Sequence, residues 1–101
     1  MAAAEGGKGV LVARRWVLSG RVQGVGFRWF VLNRAQALGA RGWVRNTEGG
    51  DVEVVAMASA ATIDQLDALL AKGPPGAWVS EVRRDEVQQE HVDGKSFTIK
   101  H

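Results

Sequence analysis

Gly20-Arg21-Val22-Gln23-Gly24-Val25-Gly26-Phe27-Arg28 is where this chain of 101 residues changes its period. Upstream, Val10, Val12, Trp16 and Leu18 alternate with other residues, Arg14 interrupts the apolar set, and the run stops at Ser19-Gly20, which predicts a strand. Downstream, Phe27, Phe30, Val31, Ala35 and Leu38 fall on one helical face, with Gly39 where a left-handed C-terminal residue is wanted. The glycine loop therefore joins a strand to a helix. Backbone N–H groups freed by such a turn, together with an unfilled helix N-terminus, make a concave anion site. An arginine at its edge offers a fork of donors to phosphate oxygens.

Working outward, a second strand is predicted at about Arg41 to Thr47, and Glu48-Gly49-Gly50-Asp51 reads as a hairpin connection to a third at Val52 to Ala58. A second helix is predicted from about Ala61 to Lys72, with Ile63, Leu66, Leu69 and Leu70 inward and Gly73-Pro74-Pro75-Gly76 ending it. Its start is capped either by Ser59 or by Thr62, the latter with Gln65 three residues on as a capping box. A fourth strand spans about Trp78 to Val87, where Val79 and Val82 are out of step with period two and predict a bulge. Gln88 to Lys95 is a polar connection turning at Asp93-Gly94, and Phe97 and Ile99 mark a short closing strand.

The order is β-α-β-β-α-β plus a short C-terminal strand. It predicts an α+β, ferredoxin-like split β-α-β sandwich whose two right-handed crossovers put both helices on one face of an antiparallel sheet. Residues 10–101 are read as that domain and residues 1–9 as a flexible tail. Activity stays open at this level, because many functions share the fold.

Composition narrows the chemistry. With 46% hydrophobic residues the chain can bury a two-layer core but no second domain or large cofactor cleft, so one small site is expected. The absence of cysteine excludes disulfides, zinc–thiolate sites and thiolate nucleophiles. Thirteen Lys and Arg against eleven Asp and Glu leave a formal net charge of +2, and no run of five like charges occurs. A small anion suits this balance better than a nucleic acid. Met1 to Gly9 lack the apolar stretch of a secretory signal, and no later segment approaches the ~18 apolar residues of a membrane span, so a cytoplasmic location is expected. His91 and His101 are distant from each other, without a carboxylate cluster, and read as solvated residues and not as metal ligands.

Two stretches resemble the signatures of the acylphosphatase family: Gly20 through Arg28 the first, and Gly42-Trp43-Val44-Arg45-Asn46 followed by Gly50-Asp51-Val52 the second. Seven fixed positions in the first would coincide by chance roughly once in a billion starts at ordinary residue usage. The likeness runs from about Arg15 to His101 and includes Gly73 to Ala77 and Phe97 to Lys100. One departure is Ala58, where the second signature usually ends in glycine; if that position needs a positive φ, alanine there is strained by about 1 kcal/mol.

The resemblance implies hydrolysis of small acyl phosphates to a carboxylate and inorganic phosphate, without cofactor or metal. It implies that Arg28 binds the substrate phosphate and that Asn46 holds the attacking water. Backbone N–H groups of Val22, Gln23, Gly24, Val25, Gly26 and Phe27 would cradle the phosphate oxygens. Inorganic phosphate would then be both product and inhibitor, and a monomer with neither nucleic-acid nor membrane partners is expected. Each assignment has a plainer rival. An arginine at a helix start is ordinarily a solvated residue, asparagine near Gly49-Gly50 can simply serve a turn, and the loop glycines are partly structural. Trp16, Trp29, Trp43 and Trp78 form no single stripe and read as core or half-exposed packing, with the pocket mouth as the alternative for Trp29.

Two other functions compete. One is a non-turnover module that binds acyl or carbamoyl phosphate, like the acylphosphatase-type domains fused to carbamoyl-transferring maturation proteins. The other is a ferredoxin-like RNA-binding module, since Gly24 to Phe30 superficially resembles an aromatic RNA-recognition signature. In such modules the aromatics lie on an open sheet face, whereas Phe27 and Phe30 fall on the inward stripe of a helix.

Overall fold

The computed structural model describes residues 10–101 apart from Asp93; the tail 1–9 and the Asp93 half of the expected Asp93-Gly94 turn lie outside the described residues. Val12–Arg21 (β1), Phe27–Leu38 (α1), Arg41–Asn46 (β2), Val52–Ala58 (β3), Ala60–Lys72 (α2), Trp78–Glu86 (β4) and Phe97–Ile99 (β5) follow in order, with a 3-10 turn at Gln89–His91. The strands lie side by side as β4-β1-β3-β2-β5. The first four pair antiparallel, and β5 runs parallel to β2. This is the expected ferredoxin-like sandwich, with the added strand making the sheet mixed. The chain leaves β4 and starts β5 at the same end of the sheet, so β5 runs against β4 and therefore along β2.

Both helices cover one face. Phe27, Val31 and Ala35 of α1 and Ile63, Leu66 and Leu70 of α2 pack with Trp16, Leu18, Val44, Val54 and Ala56 of the sheet in one buried cluster. On the opposite face Ala13, Val55 and Met57 lie under Val92. Covered on both sides, β3 is buried along its whole length, which suits its nearly continuous apolar run. Its exception is Glu53, 6% exposed. Arg45 Nε donates to one Glu53 carboxylate oxygen at 2.7 Å and Arg15 Nε donates to the other. Burial is the largest effect on this carboxyl and acts to raise it, but the two guanidiniums together hold it below the ordinary value.

Local chemistry sets the element ends. Gly39 closes α1 in the left-handed conformation, φ 77°. The Ser59 hydroxyl accepts from Thr62 N–H at 3.2 Å, so α2 starts at Ala60 with Ser59 as its cap and not Thr62. Leu69 is half-buried where Leu66 and Leu70 are buried. The expected bulge lies in β4: Ser19 pairs with Glu81 and Gly20 with Val79, leaving Ser80 unpaired, which turns both Val79 and Val82 toward the core. The strand predicted to stop at Ser19-Gly20 instead runs to Arg21. Gly20, at φ +122°, lets β4 approach so closely that a Cβ would stand 2.2 Å from the Trp78 carbonyl oxygen. Ala58 ends β3 opposite Val12, and no described residue other than glycine has a positive φ, so the family's missing glycine leaves no strain there.

Gly42, at φ +140° in β2, is the tighter constraint, because a Cβ would stand 1.9 Å from the Val55 carbonyl oxygen of the neighbouring strand. Gly42→Ala is expected to lower stability by about 3 kcal/mol in urea denaturation. Gly24→Ala, with nothing within 4 Å of its Cβ, should lose only about 1 kcal/mol from its positive φ. Equal losses in the two variants would contradict this account. Among the described residues no helix is long and apolar enough to cross a membrane.

Candidate active site

The loop Val22–Gly26 between β1 and α1 is pinned at its flanks by two buried side chains, Val22 at 1% and Phe27 at 2% exposure. Between them Gly24 and Gly26 take φ of +77° and +78°, and a Cβ on either meets nothing within 4 Å. It is therefore the left-handed backbone that calls for glycine there, and not space. Gly26 also stands at the N-cap of α1, which has no side-chain cap and no acidic residue in its first turn. The free N–H groups and positive dipole end of the helix are thus left for an external anion.

Gln23 supplies what the sequence reading missed. Its side-chain amide donates to the carbonyls of Thr47 at 2.9 Å and Asp51 at 2.8 Å, which stand at the mouth of the β2–β3 hairpin. That hairpin is itself closed by Thr47 N–H on the Asp51 carbonyl at 2.9 Å and by Asp51 N–H on the Thr47 hydroxyl at 3.1 Å. Gln23 thereby straps the glycine loop to the segment that carries Asn46. The only sequence signal was an amide among glycines and valines, which does not name its partner.

Val22, Gly24, Gly26, Phe27, Arg28 and Asn46 line one pocket of about 150 Å³, with the 62%-exposed Trp29 at its rim. At roughly 30 Å³ per water in the liquid, that is space for about five waters. Arg28 enters from the first turn of α1, and Asn46 from the last position of β2, opposite Val52. The pocket thus gathers six of the eight residues singled out from the sequence. Gln23 and Val25 are not among its walls, because Gln23 turns its amide to the hairpin and Val25 packs against the core.

The charge pattern leaves four arginines, Arg21, Arg28, Arg34 and Arg41, outside the ion pairs of the described residues, and of these only Arg28 lines the pocket. Arg14, Arg15, Arg45, Arg83 and Arg84 are each engaged by a carboxylate. Arg28 is in none of the ion pairs of the described residues, and no acidic side chain lines its pocket. Among the described residues no group of three or more His, Cys, Asp or Glu could hold a metal ion. Phe27 is in the core and Phe30 meets it edge-on at 6.1 Å on the helical layer, so neither aromatic lies on the open sheet face.

The chain is similar to known proteins. The acylphosphatase family profile matches residues 14–99. An acylphosphatase of Pasteurella multocida is 40% identical over 88 residues, which span 87% of this chain and 93% of that protein. The solved structure of an acylphosphatase from Coxiella burnetii superposes with a TM-score of 0.84 at 37% identity, covering 93% of this chain and 97% of the other. A full-length HypF crystallised in a phosphate- and nucleotide-bound form is similar too, with a TM-score of 0.82 at 29% identity over 91% of this chain but only 12% of HypF. With the profile spanning both signatures and all of the sheet but the first two residues of β1, and a like-sized relative matched over 93% of its length, the chain belongs to the acylphosphatases, the enzymes that hydrolyse acyl phosphates.

Proposed function

We propose that this enzyme hydrolyses small acyl phosphates in the pocket between the glycine loop and Asn46. Backbone N–H groups of the 22–27 loop and the start of α1 cradle the phosphoryl oxygens, the Arg28 guanidinium clamps them from the side, and Asn46 holds the attacking water. The observation that carries this reading is that an arginine outside the ion pairs and an uncapped helix N-terminus share one small pocket with an amide from a different strand.

The chemistry asks for little more. Water oxygen attacks phosphorus, the bond from phosphorus to the acyl oxygen breaks, and the carboxylate departs with the electron pair while the water's proton passes to phosphate or solvent. The transition state is loose, with charge on the equatorial oxygens, so catalysis is mainly positioning and charge stabilisation. A carboxylate is a weak base at neutral pH, so no general acid has to protonate it. The Asn46 amide can accept a hydrogen bond from water and donate one to substrate at the same time.

We place the enzyme in the cytoplasm as a monomer acting without metal, with no nucleic-acid or membrane partner. The modest net charge and the lack of thiols support this. Turnover of acetyl and benzoyl phosphate should survive a chelator, and inorganic phosphate should inhibit competitively. Activity lost to the chelator and restored by a divalent ion, or noncompetitive inhibition, would contradict the scheme. The likeness to a small part of HypF favours, as the second reading, a module that binds acyl or carbamoyl phosphate without turning it over. Carbamoyl phosphate that competes with phosphate for the pocket, with no release of product from any acyl phosphate, is the outcome that would select it.

A further inference from the structure

A second hollow, of about 440 Å³, lies between α1, the end of α2 and the turn that leads to β4. It shares no lining residue with the pocket of Arg28 and Asn46. Phe30, Leu69, Pro74 and Ala77, each half-buried, give it apolar walls, and the exposed Arg34 and Lys72 line it as well. Both cations are outside the ion pairs of the described residues, and no acidic side chain lines the hollow. The Arg34 guanidinium instead lies over the Phe30 ring, 5.3 Å from its centroid, so that charge and apolar wall adjoin. The walls are fixed from behind. Gly73 closes α2 so near the core that a Cβ would stand 2.9 Å from Phe27 Cε2, Phe27 meets Phe30 edge-on, and Ala77 N–H donates to the Pro74 carbonyl at 3.1 Å.

We propose that this hollow is a second ligand site, for a monocarboxylate with an apolar arm, the class of compound that acyl phosphate hydrolysis releases. Two cations without carboxylate partners call for an anion, and the apolar walls call for a body that gains by leaving water. Because the walls are already in place, little of the binding energy is lost in ordering them. A phosphate is the poorer occupant. The active pocket has the uncapped N-terminus of α1, whereas here α2 ends, with Lys72 in its last turn, and the negative end of its dipole disfavours a second charge on the ligand. Size agrees: an eight-carbon carboxylate has ten heavy atoms and, at roughly the 30 Å³ that a water occupies for each, fills about 300 Å³.

The measurement is a titration of the full chain with octanoate, followed by its backbone amide NMR signals, in the presence of saturating inorganic phosphate. The signals of Gly73, Gly76 and Ala77 are expected to shift, with an affinity that phosphate leaves within about twofold, since the two hollows have no wall in common. Butanoate should bind at least about tenfold more weakly, because it buries less of an apolar arm, and octylamine, of the opposite charge, should produce no shifts. Replacing both cations, Arg34→Gln with Lys72→Gln, should raise the Kd for octanoate about tenfold. Both side chains are exposed and glutamine is a good helix former, so turnover of benzoyl phosphate without octanoate should stay within about twofold. Shifts confined to the glycine loop, binding abolished by phosphate, or an unchanged Kd in the double variant would each overturn the site. None of these outcomes bears on Arg28 and Asn46, whose pocket is tested separately.

Discussion

Arg28→Ala is expected to lower kcat/KM for any acyl phosphate by about a thousandfold and to weaken inhibition by inorganic phosphate by at least about tenfold. Both effects follow from one geometry: the guanidinium enters the pocket from the first turn of α1 and belongs to no ion pair of the described residues. Its removal leaves the phosphoryl charge to the backbone amides alone. Arg28→Lys should recover only part of the loss, since an ammonium keeps the charge but cannot present two parallel donors to two oxygens. The fold should hardly notice, because alanine is a good helix former and Arg28 is not part of the core. Steady-state kinetics beside a thermal melt would separate the two effects. A loss below tenfold in the folded variant would remove Arg28 from the catalytic scheme.

What the sequence made legible was mostly local. The switch of period across Gly20–Arg28, the left-handed Gly39 and the misphased Val79 and Val82 each depend on a few neighbouring residues, and each has its counterpart in the structure. The errors lie where a distant strand decides. Gly20 looks like a turn residue until β4 is laid against it, because the need for a missing Cβ comes from the Trp78 carbonyl and not from the chain nearby. Likewise the direction of β5 depends on which end of the sheet the chain crosses, and the partners of the Gln23 amide depend on the hairpin it meets. For the site, spacing could nominate Arg28 and Asn46 but not bring them together. That is done by the strap from Gln23 and by the burial of Val22 and Phe27 on either side of the loop.

The second large effect separates positioning from binding. Asn46→Ala is expected to lower kcat by a factor of about a hundred to a thousand while leaving the inhibition constant of inorganic phosphate within about threefold. An uncharged amide contributes little to holding a dianion, but it fixes the line along which water must approach. The rival role, a turn residue serving the hairpin, predicts the opposite pattern, with lost stability and retained turnover. Structure already weakens that rival, since Asn46 occupies a ladder position opposite Val52 and the turn is closed by Thr47, Gly50 and Asp51. Asn46→Asp is the sharper variant. A carboxylate of nearly the same shape could still accept from water, yet it would stand beside the phosphoryl oxygens and repel them, so both kcat and phosphate affinity should fall. If Asn46→Ala instead lost phosphate affinity to the same degree as Arg28→Ala, the two side chains would be parts of one anion clamp, and the water would have to be held by the loop backbone.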